Sequence, residues 1–215
     1  MDPKITWFAQ SAFMVEHGGM RIYIDPFQIP DGVEPADVLL LTHEHRDHLS
    51  AEDIAKVRNE NTTVIVGPNV EGKIDNPSKV LEIEESTTVG NLSVKAVAAY
   101  TITKLRDTGE PTHPKEHKHV GYVFEIEGLS FYFVGDSDVI PEMSGIGPVD
   151  YAFVPVSGKF VMTAEEAADA VAVFQPSVAI PCHYGSVVGS IDDARKFADL
   201  VPDQVRVWIM EPVGS

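Results

Sequence analysis

Residues 37–50 read DVLLLTHEHRDHLS. The apolar run near the start of this segment predicts a buried strand, and the polar residues begin where that strand would end. His43, His45 and Asp47 alternate, so on an extended backbone they project to one side, and His48 must point toward a second centre. Imidazole and carboxylate groups are ligands for zinc, and they also suit manganese and iron. The spacing therefore predicts a two-metal site at the end of this strand.

The composition predicts one domain spanning residues 1–215, because a chain of 215 residues can bury a substantial core. A net charge of −17 argues against binding to nucleic acid or to an anionic membrane, both of which need clustered Lys and Arg. The only cysteine, Cys182, excludes an internal disulfide and indicates a reducing compartment. No signal peptide and no apolar run of membrane-spanning length is visible, so we expect a cytoplasmic protein.

Short apolar segments bounded by turn residues predict strands in both halves of the chain. Those in the first half are Lys4–Phe8, Ala12–Glu16, Met20–Ile24, Val38–Leu41, Thr62–Val66, Lys79–Ile83, Thr87–Val89 and Leu92–Ala98. Those in the second half are Val120–Glu127, Leu129–Val134, Val149–Val154, Val178–Ile180 and Val205–Ile209.

Capping residues predict three helices between these strands. Ser50 caps the first helix, with Asp53 in its first turn. Residues 163–166 form a capping box for a helix that runs to Phe174, and Ser190 caps the last helix. Strands in both halves with helices between them favour an α/β fold in which two sheets pack face to face and the helices lie outside.

Three further segments place a ligand-type residue near a strand end, where rigid scaffolds usually carry their chemistry. His113 lies in a long polar loop over residues 99–119, Asp136 follows one predicted strand, and His183 follows another. Together with the opening cluster they make five histidines and two aspartates. A two-metal site needs about that many ligands when one carboxylate bridges the metals.

Other histidines and the cysteine have competing interpretations. Either His117 or His119 could replace His113 as a ligand, or both are ordinary loop residues. His17 lies in a Gly-rich turn, and we expect no role in the site for it. Cys182 is next to a proposed ligand, but zinc thiolate sites usually contain more than one cysteine, so we expect a small buried residue.

The polar loop and its surroundings contain the basic side chains that could attract an anionic substrate to an acidic protein. These are Lys104, Arg106, Lys115 and Lys159, which could equally be solvated loop residues. Tyr184 could donate a hydrogen bond to an oxyanion, or it could simply pack beneath its loop.

The segment over residues 42–48 matches the H-x-H-x-D-H signature of the metallo-β-lactamase fold superfamily. Further matching motifs follow the family order at residues 24–27 (IDPF), 113–115 (HPK), 135–143 (GDSDVIPEM) and 181–185 (PCHYG). The chain resembles a branch of small, single-domain predicted metal-dependent hydrolases related to ascorbate-6-phosphate lactonase.

This resemblance implies a four-layer αββα sandwich with the site along one edge. It implies that the first metal takes His43, His45 and His113, that the second takes Asp47, His48 and His183, and that Asp136 bridges them. Two divalent ions would activate a bound hydroxide to cleave a small ester, lactone or phosphoester. Asp47 would orient that water and receive its proton. Zinc is the expected metal, with Mn²⁺ or Fe²⁺ as alternatives.

Other functions fit the sequence less well. A nucleic-acid phosphodiesterase conflicts with the acidic charge. A diiron redox enzyme conflicts with His45, because the oxygen-reducing relatives usually carry glutamate there. A metal-binding interaction or sensing protein without turnover conflicts with the complete ligand set. The sequence leaves open the substrate and whether the chain forms a homo-oligomer.

Overall fold

Residues 2–213 are described by a computed structural model, and their strands form two sheets. The first sheet contains, as neighbours in chain order, β1 (Lys4–Ala9), β2 (Ala12–His17), β3 (Met20–Ile24), β4 (Val38–Leu41), β5 (Thr63–Val66) and β6 (Lys79–Val80). The second contains, also in chain order, β7 (Ser86–Val89), β8 (Leu92–Ala98), β9 (Val120–Ile126), β10 (Leu129–Phe133), β11 (Tyr151–Pro155), β12 (Val178–Cys182) and β13 (Arg206–Val207). In each sheet an antiparallel half continues into a parallel half, from β3 onward in the first and from β10 onward in the second.

Three α-helices begin where their capping residues predict. They are α1 (Ala51–Val57), α2 (Ala164–Phe174) and α3 (Ile191–Leu200). The Ser50 side chain accepts a hydrogen bond from the Asp53 N–H, and both α2 and α3 begin with a complete capping box. Within the described chain, no helix combines the length and the apolar character needed to cross a bilayer.

Strand β4 is buried on both faces, which explains its unbroken apolar sequence. Val38 and Leu40 join the core between the two sheets, whereas Leu39 and Leu41 belong to a second core beneath α1. A strand covered on both sides has no polar face, so it lacks the alternation of a half-exposed strand. Because β4 is buried, the His/Asp cluster that follows it begins in the interior of the fold.

Aromatic contacts fix the order of the layers. Between the sheets, the ring of Phe13 on β2 lies 4.6 Å from that of Phe153 on β11. On the outer face of the second sheet, Tyr132 of β10 meets Phe174 of α2 edge-on, with 5.1 Å between ring centroids. Helix α1 covers the outer face of the first sheet. The predicted αββα sandwich is confirmed.

Two edge strands are shorter than the sequence predicts. The segment Lys79–Ile83 pairs only as far as Val80, because its partner β5 ends at Val66. The segment Val205–Ile209 contributes only the two residues of β13. Continuing that register would place Ile209 beside Pro181, which has no N–H to donate to the ladder.

Candidate metal centre

The loops after β4, β10 and β12, together with the loop between β8 and β9, meet at one edge of the sandwich. They bring together all seven predicted ligand residues in two groups of potential metal ligands. The first group contains His43, His45, His113 and Asp136, and the second contains Asp47, His48 and His183. All except His45 and Asp47 are buried.

The first group has the spacing of ligands around one ion. Nδ1 of His45 lies 3.1 Å from Nε2 of His43 and 3.1 Å from Nε2 of His113. Nε2 of His113 in turn lies 3.2 Å from Oδ2 of Asp136. Ligands at about 2.0–2.1 Å from a tetrahedral zinc are about 3.3 Å from one another. The four side chains therefore present their ligand atoms at the corners of one coordination site.

The second group has a looser but similar spacing. Oδ2 of Asp47 lies 3.6 Å from Nε2 of His48 and 3.9 Å from Nε2 of His183. The Asp136 carboxylate contacts this group as well, because its Oδ1 lies 3.4 Å from His48 Nε2 and its Oδ2 lies 3.1 Å from His183 Nε2. One carboxylate thus touches histidines of both groups.

Unpaired buried atoms show that this arrangement fits a metal. Nε2 of His48 and Oδ1 of Asp136 are both buried, and within residues 2–213 neither makes a hydrogen bond. Buried polar atoms almost always have partners. Since both atoms point into the centre of the cluster, a divalent cation with nitrogen and oxygen ligands would satisfy them.

Asp25 orients two ligands of the centre from behind. Its carboxylate accepts hydrogen bonds from the N–H of Thr42 (2.8 Å), from the hydroxyl of Thr42 (2.5 Å) and from Nδ1 of His48 (2.7 Å). The Thr42 hydroxyl also lies 3.0 Å from Nδ1 of His43. A carboxylate on the far nitrogen fixes the tautomer and orientation of a metal-binding histidine. The sequence indicated Asp25 only as part of a family motif. Its role in orienting the metal ligands was not predicted.

His183, which follows β12 of the second sheet, is held by one residue from each sheet. Its Nδ1 lies 3.2 Å from Nε2 of Gln10 and 3.0 Å from the hydroxyl of Ser157. Its backbone N–H donates to the carbonyl of Gln10 at 2.8 Å. Neither Gln10 nor Ser157 could be predicted for this role, because nothing in the sequence indicates which side chains approach His183.

The electrostatics of the first group suit neutral imidazoles and an ionised carboxylate. Burial lowers the pKa of His43 well below its ordinary value, and burial lowers that of His45 to about 4. Burial alone would raise the pKa of Asp136, but the surrounding histidines, His183 foremost, bring it well below its usual range. Neutral imidazoles offer a nitrogen lone pair, and an ionised carboxylate offers its oxygens, as metal binding requires.

The pKa of His48 shifts in the opposite direction, because this residue lies between two carboxylates. Burial lowers its pKa, but Asp136 on one side and Asp25 on the other outweigh burial and raise the pKa well above its ordinary value. A cation at Nε2 would take the place of the proton that this environment favours. A metal bound by the second group would therefore displace a proton from His48.

His113, and not His117 or His119, contributes a ligand atom to the first group. Its backbone N–H donates to the hydroxyl of Thr101 at 2.9 Å, and its carbonyl accepts from the Thr101 N–H at 2.9 Å. These two bonds tie His113 to the start of its own loop, just after β8, and hold the ring toward Asp136. His117 and His119 instead form a separate group of potential ligands with Glu44.

The chain is similar to known proteins over most of its length. Residues 4–183 match the beta-lactamase superfamily domain. The chain belongs to this superfamily. A UPF0173 metal-dependent hydrolase from Methanopyrus kandleri is 32% identical over 231 residues, which cover 99% of this chain and 98% of that protein.

Solved structures of this superfamily agree with the fold. A proposed metal-dependent hydrolase from Parabacteroides distasonis superposes with a TM-score of 0.87 at 32% identity, covering 98% of this chain and 93% of that one. A proposed Zn-dependent hydrolase of the metallo-beta-lactamase superfamily from Thermotoga maritima has a TM-score of 0.67 at 26% identity, covering 98% and 100%. The expected enzyme class, a metal-dependent hydrolase, is confirmed at the level of the family. The relationship to ascorbate-6-phosphate lactonase stays a prediction.

A cavity of about 420 Å³ opens onto the centre of this superfamily member. Ligand residues of both groups line it, including Asp47 and Asp136. The guanidinium-bearing residues Arg46 and Arg106 also line it, as do the apolar residues Phe160 and Val187. Arg46 stands between two ligands in the sequence, and the prediction of basic residues near the site overlooked it.

Only Arg106 of the four predicted basic residues lines this cavity. The ammonium of Lys104 is buried and lies 2.6 Å from Glu166 and 3.3 Å from Asp138, so Lys104 holds the loop to α2. Lys115 pairs with Glu142 at 2.7 Å instead. Each of these lysines pairs with a carboxylate that the sequence does not place near it.

The ammonium of Lys159 lies 5.1 Å from the ring centroid of Phe160, outside the cavity lining. Tyr184 is also absent from that lining, and its ring packs 4.9 Å from Trp7, as its packing interpretation predicts. Cys182 is buried and free, as expected for a small core residue. His17 ends β2 and belongs to neither group of ligands.

Proposed function

We propose that residues 1–215 form one hydrolase domain that uses two divalent metal ions to cleave a small ester, lactone or phosphoester. The observation that carries this proposal is the position of Asp136. Its carboxylate oxygens lie 3.1–3.4 Å from histidine nitrogens of both groups, as a bridging ligand requires. Five imidazoles and two carboxylates favour zinc, with Mn²⁺ or Fe²⁺ as alternatives.

Two ions bound there would supply a hydroxide nucleophile near neutral pH and stabilise the negative charge that develops on the substrate. The side chain of Asp47 is 19% exposed, whereas those of His48 and Asp136 are 0% and 3% exposed. Asp47 therefore reaches both the second group and the cavity. This position suits a carboxylate that orients the attacking water and accepts its proton.

The cavity supports a small anionic substrate with an apolar portion. Arg46 and Arg106 flank the ligand residues, and guanidinium groups bind carboxylates and phosphates in a bidentate manner. Phe160 and Val187 offer an apolar wall beside them. A volume of about 420 Å³ lies within the range of small-molecule sites, which is about 300–1,000 Å³.

A substrate screen with zinc- or manganese-loaded protein tests this proposal. Lactones, phosphomonoesters, phosphodiesters and thioesters would be compared for the wild-type chain and for Asp47→Asn. We expect hydrolysis of at least one class, and a loss of about 10²–10⁴ in kcat for Asp47→Asn, the usual contribution of a positioned base. An Asp47→Asn variant with the wild-type rate would reject Asp47 as the proton acceptor. No hydrolysis of any class by the loaded protein would reject the proposed chemistry.

A further inference from the structure

A second cluster of metal-ligand residues lies beside the first group of the centre. It consists of Glu44, His117 and His119, whose ligand atoms all lie within 4.8 Å of one another. Glu44 comes from the loop after β4, and the two histidines come from the end of the loop that precedes β9. None of the three belongs to the seven residues that would hold the two catalytic ions.

His119 is the most unusual member of this cluster. It is 2% exposed, and both of its ring nitrogens are buried without a hydrogen bond in the described part of the chain. Oε2 of Glu44 is likewise buried and without a hydrogen bond among residues 2–213. Buried polar atoms in native proteins nearly always have partners, so three such atoms in one place indicate that a ligand completes them.

The distance between these atoms fits a shared cation. Nε2 of His119 lies 3.3 Å from Oε2 of Glu44, yet the two atoms make no hydrogen bond with each other. This separation equals that of about 3.3 Å expected between two ligands of a tetrahedral zinc ion. The ligand atoms of the main centre have the same spacing, for example 3.2 Å between His113 Nε2 and Asp136 Oδ2.

The contacts of Glu44 leave its oxygen Oε2 free to bind a cation. The other oxygen, Oε1, faces the ammonium of Lys73 at 3.6 Å, and the Glu44 N–H donates to the side-chain oxygen of Asn69 at 3.0 Å. These contacts hold the backbone of Glu44 and offset the negative charge of its carboxylate on the Oε1 side.

His117 is the third member of the cluster and lies at the surface. It is exposed, and its ring centroid lies 5.7 Å from that of His119. Lys118, between the two histidines, turns away to pair with Glu82 at 3.0 Å. The exposed imidazole can therefore reach an ion bound at the buried pair.

We propose that Glu44, His117 and His119 bind a third divalent cation of the borderline class, such as Zn²⁺ or Co²⁺, beside the dinuclear centre. Two imidazoles and one carboxylate with an open position form a ligand set that zinc accepts. The ring of His119 stacks on that of His43, with 4.8 Å between centroids at 24°. The third cation would thus bind next to a ligand of the first metal, and its binding does not depend on the hydrolytic function.

The test compares metal content by inductively coupled plasma mass spectrometry after equilibrium dialysis against buffered free Zn²⁺. Wild-type protein, Glu44→Gln and His117→Ala would be measured with His17→Ala, a histidine outside the cluster, as the matched control. We expect each cluster variant to hold one zinc ion fewer per chain than wild type and than His17→Ala. Glu44→Gln preserves the shape of the side chain, and His117 is exposed, so both variants keep the fold.

Titration with Co²⁺ gives a second readout, because tetrahedral cobalt absorbs visible light. We expect one spectral component of the wild-type titration to disappear in both cluster variants and to remain in His17→Ala. Wild-type zinc content and cobalt spectra in both variants would overturn the proposal. The difference of one ion tests this site alone, whereas loss of two ions in a bridging-ligand variant tests the dinuclear centre.

Discussion

The two halves of the dinuclear centre are built differently. In the second half, the far nitrogen of each imidazole is fixed: Asp25 holds His48, and both Gln10 and Ser157 hold His183. In the first half, and within residues 2–213, only the far nitrogen of His43 has a partner, the Thr42 hydroxyl. Nδ1 of His113 is buried without a hydrogen bond in the described chain, and His45 is partly exposed.

This difference follows from where the two halves lie in the fold. The second half takes its three ligands from the loops directly after β4 and β12, whereas the first half takes one of its ligands, His113, from the loop over residues 99–119. Far-nitrogen partners typically change metal affinity by about 10–100-fold. We therefore expect the second half to bind its ion more tightly and the first half to exchange its ion more readily.

The largest effect is expected where the two halves meet. Asp136→Ala should lose both ions and reduce hydrolysis by at least about 100-fold, because one carboxylate serves both halves. Metal content and activity would be measured on desalted protein, with circular dichroism as the control for folding. A folded Asp136→Ala variant that retains two ions would show that Asp136 is not the bridge.

His113→Ala should remove the ion of the first half and leave that of the second, because His113 contributes its ligand atom to the first group and not to the second. His117→Ala, which should lose only the proposed third cation, is the comparison variant from the same loop. Competition with a chromophoric zinc chelator distinguishes the bound ions by affinity. If His117→Ala loses the first-half ion and His113→Ala keeps it, the assignment of the third ligand is wrong.

Asp25→Ala should weaken the ion of the second half by about 10–100-fold and affect the first half less. The variant should also lose stability, by about 1–3 kcal/mol, because the buried Thr42 N–H loses its acceptor. Zinc competition and urea unfolding would measure the two effects separately. Equal weakening of both ions would contradict the difference between the halves.

The smallest effect concerns the substrate. Arg106→Gln should raise KM for an anionic substrate by about tenfold, or about 1.4 kcal/mol, with little change in kcat, since the guanidinium would contribute binding only. Lys159→Gln, which removes a positive charge outside the cavity lining, serves as the control. An unchanged KM in Arg106→Gln would remove this residue from substrate binding.

The sequence predicted which side chains the structure brings together because most of them directly follow strands. Val38–Leu41 is apolar throughout, so the end of β4 and the cluster beyond it were evident, and Asp136 and His183 follow strands in the same way. The side chains that hold these ligands in place could not be predicted. Gln10 reaches His183 across 173 positions of sequence, and such a contact depends on how the two sheets pack.

The basic residues illustrate the same limit. Lys104 and Arg106 are two positions apart in one loop, yet the first is buried against Glu166 and the second lines the cavity. Their difference is set by helix α2, which carries the partner of Lys104. Charge in a sequence indicates which residues can attract a substrate, and only the fold decides which of them are free to do so.

A dinuclear centre of this kind requires two ions that share Asp136. A crystal structure of the zinc-loaded protein, with anomalous scattering recorded at the zinc edge, tests it most directly. We predict one peak bound by His43, His45 and His113, and another bound by Asp47, His48 and His183, with the Asp136 carboxylate between them. A single peak within the seven-residue centre, or two peaks that Asp136 does not join, would contradict the account.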